Sequence, residues 1–251
     1  MKQQILNKLG AGFTIIALLG VVSTGCKDSP TELTSGQMSM SSQYTTNPTS
    51  AASLGSTGVT LSAAVDSITI SRARFVLSRM KFKTGADSTN FKTEPLIIEL
   101  NLIGSVQDVS VAEVPFGTYR EIEFKVHRVD SSDFVGSSPA KLAQFADFLA
   151  GDRYSIIIDG TIYRNGETGQ AFVFRSRIDE EQKYDFIPEL VISEGSPAVN
   201  VTMLVSSFGW FRDSGGALLD PTDGTTENLI DDNLKSSIKF YKDNNRDGQR
   251  D

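Results

Sequence analysis

Tyr119-Arg120-Glu121-Ile122-Glu123-Phe124-Lys125-Val126-His127-Arg128-Val129 is the stretch that decides the fold. Ile122, Phe124 and Val126 fall on one side of an extended chain, and Glu121, Glu123, Lys125 and His127 on the other. Strict alternation of this kind predicts a strand with one buried and one wetted face. Just upstream, Val114-Pro115-Phe116-Gly117 suits a tight turn, with Pro at its second and Gly at its fourth position. Downstream, Tyr154, Ile156, Ile158 and Ile162 alternate up to Asn165-Gly166, a pair that tolerates positive φ, and Phe172, Phe174 and Ile178 alternate on the return. Residues 184–192 and 199–205 continue the pattern, with Val199, Val201, Met203 and Val205 sharing a face. Upstream, residues 68–82 and 96–100 are strand-like, and a change of phase near Arg74 predicts a bulge or a break.

Two segments depart from this period. Residues 139–150 place Leu142, Phe145, Phe148 and Leu149 at helical spacing, with Ser138 as cap and Pro139 in the first helical position. Residues 226–236 carry acids early and Lys235 late, as a helix dipole prefers. Short strands, Gly- and Pro-marked turns and few helices predict a mainly β protein, an antiparallel β-sandwich with one or two short helices. About 150 residues of such pattern suffice for one core.

The N-terminus has a different logic. Lys2 and Lys8 precede an apolar run over residues 13–22, and Ser23-Thr24-Gly25 leads directly into Cys26, the only cysteine in the chain. A basic start, a short apolar stretch and small residues form the layout of a secretion signal. The run is shorter than the roughly 20 apolar residues a spanning helix needs. The residues before Cys26 resemble the lipobox of bacterial lipoproteins, although Ser23 stands where that family usually has Leu. The resemblance implies cleavage after residue 25 and covalent lipid on Cys26; ordinary secretion with a free thiol is the alternative. Acyl chains bury about 0.8 kcal/mol per methylene, so such an anchor holds without a membrane helix. Lys27-Asp28 resembles the surface-export signal of Bacteroidetes lipoproteins, which implies an outer-membrane, cell-surface location.

The domain organisation expected is a signal over residues 1–25, a lipid-anchored flexible linker over 26–58, a sandwich over 59–205 and a C-terminal extension over 206–251. The linker reading rests on Ser, Thr, Gly and Pro with few large apolar residues; a sticky low-complexity segment is the alternative. The extension is expected to dock through Trp210 and Phe211. The formal charge is −7, and loss of Lys2 and Lys8 with the signal takes it to −9, because residues 1–25 contain no acid. Such a chain is repelled by phosphate backbones, so nucleic acid is not an expected partner; the membrane, through the lipid, is.

Catalytic constellations are few. His127, the only histidine, falls on the wetted face of its strand and reads as a lone surface histidine rather than as part of a triad or a multi-histidine metal site, and no serine stands in Gly-x-Ser-x-Gly. Asp179-Glu180-Glu181 reads as a solvated turn, since a glycosidase needs acids on different elements facing one cleft. The tail is the sharpest chemical signal. From Asp243, oxygen side chains recur at positions 1, 3, 5 and 9 as Asp243, Asn245, Asp247 and Asp251, with Gly248 at position 6 and the Gln249 carbonyl at position 7. Ca²⁺ takes six to eight oxygens, and the glycine lets the chain turn around the ion. The segment resembles the start of an EF-hand loop and the thrombospondin type 3 repeats, which implies a calcium site. It lacks the Glu at position 12, so Asp220 or Asp223 would have to complete it; a solvated acidic tail is the alternative.

Ala73-Arg74-Phe75-Val76-Leu77 followed by Pro115-x-Gly117-x-Tyr119 resembles a bacterial lipoprotein domain without established chemistry. That resemblance implies a prealbumin-like β-sandwich. The expected function is therefore non-enzymatic: a structural, adhesive or ligand-capturing lipoprotein of the cell envelope. A small-molecule or glycan-binding role would need an exposed aromatic platform, suggested by Trp210, Phe211 and Tyr241. A hydrolase would need a cleft with convergent acids.

Overall fold

The longest strand, β2 (Val65–Thr84), changes partner partway along its length. Its first part pairs antiparallel with β7 (Ile156–Arg164), and its second part with β6 (Gly117–Val126). Register shifts between Ile70 and Arg72 and between Leu77 and Arg79 flank Arg74, where the phase of the apolar pattern changes. An unpaired extra residue bends a strand and increases its twist, which is how one strand serves two partners.

The computed structural model describes residues 35–47, 65–84, 91–195 and 198–251. These lie in one compact unit, Leu33–Asp251. The larger sheet has the order β8-β7-β2-β6-β9, with β8 (Gln170–Ser176) and β9 (Glu180–Ile192) at its ends; β3 (Phe91–Lys92) and β4 (Leu96–Glu99) also pair with β2. The smaller sheet has the order β11-β10-β1-β5, formed by β11 (Ile238–Lys242), β10 (Val199–Ser206), β1 (Ser35–Thr45) and β5 (Gln107–Pro115). The protein is thus mainly β, two mostly antiparallel sheets with a few short helices.

Alternation places the core where the sequence reading expects it. Ile122, Phe124 and Val126 of β6 and Val199, Val201, Met203 and Val205 of β10 are buried in one cluster. The Phe124 ring stacks on Phe240 of β11, centroids 3.8 Å apart. The Asn165-Gly166 turn joins β7 to β8 with φ of 50° and 71°. Between β5 and β6 stands Phe116 alone, and there the chain changes sheets. The hydroxyl of Tyr119 donates to the Pro115 carbonyl at 2.7 Å, which explains the Pro-x-Gly-x-Tyr spacing as a clasp across that corner. On the other face of the larger sheet, α1 (Pro139–Gln144) and α2 (Ala146–Leu149) lay Phe145 and Phe148 against Val76, Val129 and Ile157. Ser138 caps α1 and Pro139 opens it, as expected, although the expected single helix is divided at Phe145.

Four expectations require correction. Ser35–Thr45, expected inside the flexible linker, is a strand at the centre of the smaller sheet. Its pattern was hidden because only Met38 and Met40 are strongly apolar, while Ser39 and Ser41 are buried by hydrogen bonding rather than by hydrophobicity. Its pairing with β10 is parallel, so the sandwich is not purely antiparallel. Residues 206–251 dock through Trp210 and Phe211 as expected, but they are part of the domain rather than an extension: Leu219, Ile230 and Leu234 also belong to the main core, the last two from α3 (Glu227–Ser237), and β11 joins the smaller sheet. Glu180 and Glu181 open β9 rather than form a turn. Glu123, expected on a wetted face, is buried at 3% exposure. There Lys81 and Lys83 approach its carboxylate to 2.6 and 3.0 Å, with Arg79 at 3.7 Å. Long lysine stems cover what alternation alone assigns to water.

Candidate functional site

The expected lipidation site, Cys26, and the adjoining Lys27-Asp28 lie outside the described residues. Among the described residues no helix is long and apolar enough to cross a membrane.

The C-terminal loop begins where β11 ends. Asp243 is fully buried, and its carboxylate accepts hydrogen bonds from the backbone of Asp247 (3.1 Å), the backbone of Gly248 (3.1 Å) and the hydroxyl of Thr202 (2.9 Å). Among the described residues no Lys or Arg forms an ion pair with it. Arg246 and Gly248, the fourth and sixth loop residues, have φ of 57° and 80°. At Gly248 a Cβ would stand 2.5 Å from the Gln43 amide, so glycine is needed for conformation and for space. The Asn245 amide oxygen accepts from the Asp247 backbone, and the Asp247 carboxylate accepts from Gln249 N and Asn245 Nδ2. Asp251 turns back to accept from the backbone of Asn244 at 2.7 Å.

This loop lies against the outer face of the smaller sheet and is the reason that face is buried. Asn200 receives the Ser39 and Ser41 hydroxyls on its side-chain oxygen and donates to the Asp243 carbonyl. Arg246 donates to Ser39 and pairs with Asp108 at 3.0 Å. The Tyr241 hydroxyl donates to the Gly248 carbonyl at 2.7 Å. Burial, followed by the nearby Asp243 and Asp247 charges, pushes that phenol up to about 12. Among the described residues, no three His, Cys, Asp or Glu side chains gather as a metal cluster. Asp220 instead pairs with Arg164 at 2.6 Å, and Asp223 caps the turn before α3, so neither completes the loop.

Other acids are held in ion pairs. Asp179 meets Lys125 at 3.2 Å and His127 at 3.1 Å. Burial pulls His127 below the ordinary imidazole range despite the pull of Asp179 in the opposite direction. A cleft of about 340 Å³ beside α3 holds Asp152 and Glu227, but Arg177 bridges them at 3.5 and 3.2 Å. Convergent acids are therefore present, with a guanidinium between them.

A second cleft, of about 360 Å³, opens at the end of the sandwich where β1 finishes. Tyr44 of β1, Ile68 and Ile70 of β2, and Phe208, Phe211 and Arg212 beyond β10 line it. The aromatic platform expected from the sequence is not there: Trp210, Phe211 and Tyr241 are 0, 4 and 8% exposed. Trp210 packs on Phe75 and donates its indole N–H to Ser237. Phe208 is exposed instead, at 52%, with the Arg212 guanidinium 5.9 Å from its ring centroid. Sequence reasoning missed this site because its walls come from segments up to about 170 residues apart, and nothing in Ser207-Phe208-Gly209 marks which aromatic stays outside.

Fold and sites together define a mainly β, two-sheet protein with a docked acidic C-terminal loop and an open, partly aromatic cleft. No protein-family model, no curated protein and no solved structure matches the chain.

Proposed function

We propose that this chain is an exported, lipid-anchored β-sandwich lipoprotein of the bacterial outer membrane, facing the cell surface, with a non-catalytic ligand-capture role. The observation that carries the reading is the cleft at the end of β1: a partly aromatic concavity, apolar and polar in about equal share, whose Phe208 ring is left half exposed. An open apolar cleft with a few convergent polar groups is the usual form of a small-molecule site. Tyr44 and Ser207, 2.6 Å apart through their hydroxyls, supply the polar groups with Arg212. The test is an NMR titration with 3-phenylpropan-1-ol. Shifts confined to the neighbourhood of Tyr44, Ile68, Ile70 and Phe208 support capture there, and shifts scattered over the surface refute it.

A second element of the reading is a calcium ion in the loop of Asp243, Asn245, Asp247, Gln249 and Asp251. What favours it is Asp243, a buried carboxylate without a cationic partner among the described residues. A buried charge is costly unless compensated, and here only hydrogen bonds compensate it. With so few ligands the affinity expected is weak, about 10⁻⁴–10⁻³ M. Calorimetric heat from Ca²⁺ that vanishes in Asp247→Ala supports the site. An absence of saturable binding at millimolar Ca²⁺ leaves the loop as a hydrogen-bonded clasp only. The prealbumin-like domain resemblance is compatible with the two-sheet fold and adds no chemistry.

A further inference from the structure

We propose that the cleft at the end of β1 is selective for small organic carboxylates with an apolar, preferably aromatic, body; the inference rests on the ligand-capture reading above and specifies its ligand. The carboxylate meets Arg212, and the body lies against Ile68, Ile70 and Leu218 beside Phe208.

Among the described residues Arg212 is the only cation lining this cleft. One of its nitrogens, Nη1, donates to the Gly216 carbonyl at 2.8 Å, and the residue bridges backbone to backbone with Leu218. Among the described residues no carboxylate pairs with it. Its neighbour Asp213 is turned away, accepting from the Ala217 backbone at 2.8 Å. The guanidinium is therefore held in position at the rim by its carbonyl contact and by the Phe208 ring, with donors left for a ligand. A planar guanidinium matches a carboxylate with two parallel hydrogen bonds.

The cleft's charge and shape narrow the class further. A single positive charge balances one carboxylate, whereas a phosphate dianion would remain half unneutralised on a chain of net charge −7. About half of the wall is hydrocarbon and aromatic surface, from Ile68, Ile70, Phe208 and Leu218, and burying it favours a ligand with an apolar body beside its polar head. The other cleft differs in its acids: Asp152, Asp223 and Glu227 line it and would repel a carboxylate, and Arg177 is already bridged by Asp152 and Glu227.

The test compares 3-phenylpropanoate with 3-phenylpropan-1-ol, which share a body and differ in the head group. It uses the chain from Lys27 onward, which keeps the whole compact unit. Calorimetry or NMR should find the carboxylate bound about tenfold or more tighter than the alcohol, the difference expected of a charged hydrogen-bonded pair. Arg212→Gln should bring that ratio close to one, and Phe208→Ala should weaken both ligands. Arg212→Lys, which keeps the charge, should retain part of the preference even where the glutamine variant loosens the loop. Equal wild-type affinity for carboxylate and alcohol overturns the ligand class and leaves ligand capture standing. Failure of both to bind overturns the two together.

Discussion

Glu123→Gln probes the least expected feature of the larger sheet. Burial alone would raise the proton affinity of this carboxyl, but the hydrogen bonds and charges of Lys81 and Lys83 outweigh it and hold the group at about 2 instead of 4.5. A shift of that size corresponds to about 3 kcal/mol of stability. Because the folded value is depressed, the contribution is complete above pH 4.5 and disappears as pH falls from 4.5 towards 2. Lys83 is raised to about 12, a smaller change, since it is shared with Glu121 and is 31% exposed. Removing one member of a buried ion pair also leaves its partners without compensation, which costs about 3–5 kcal/mol in comparable cases. Urea unfolding of wild type and variant at pH 6, 4 and 2.5 measures the difference directly, and the other carboxylates, common to both proteins, cancel. The variant should be less stable by about 3 kcal/mol at pH 6, with the gap closing as Glu123 takes up its proton. A cost below about 1 kcal/mol at pH 6, or one that stays constant down to pH 2.5, would show that the cluster is ordinary screened surface charge.

Other positions give independent checks. Phe124→Ala removes a buried ring stacked on Phe240 and should cost about 3–5 kcal/mol, whereas His127→Ala, half-buried at the sheet edge, should stay within about 0.5 kcal/mol; equal costs in thermal melts would mean the register is wrong. Gly248→Ala forces a side chain into a φ of 80° and against Gln43, so a loss of about 1–3 kcal/mol is expected, with unchanged stability refuting the docked loop. Mass spectrometry of the mature N-terminus should find acyl chains on Cys26 that Cys26→Ser lacks, and an unmodified cysteine there would remove the anchor from the proposal.

The fold was legible where side chains alternate by hydrophobicity. Residues 119–126, 156–162 and 199–205 announce themselves because water sorts their faces. β1 did not, because one of its faces is sorted by hydrogen bonds to Asn200 and by a loop about 200 residues away. Glu123 was misplaced for a related reason: alternation predicts which way a side chain points, not whether lysine stems close over it. The tail motif indicated the loop's turn at Gly248, and it could not indicate that Asp243 also accepts hydrogen bonds from Thr202 and two backbone amides. The cleft lay beyond reach altogether, since it exists only once β1, β2 and the segment after β10 meet.

The position of β1 changes the geometry of the proposed anchor. A linker ending at residue 58 would let the domain wander far from the membrane. With β1 starting at Ser35, a lipid on Cys26 is separated from the first strand by nine residue steps, a reach of about 30 Å at most. β1 then rises through its 11 residues by about 35 Å from Ser35 to Thr45. Its first residue pairs with Pro115 at the β5–β6 corner, and its far end carries Tyr44 into the cleft wall. Along the chain, the proposed lipid would therefore lie nearer the corner end of the smaller sheet, whereas the cleft beside Phe208 and Arg212 opens at the opposite end of β1.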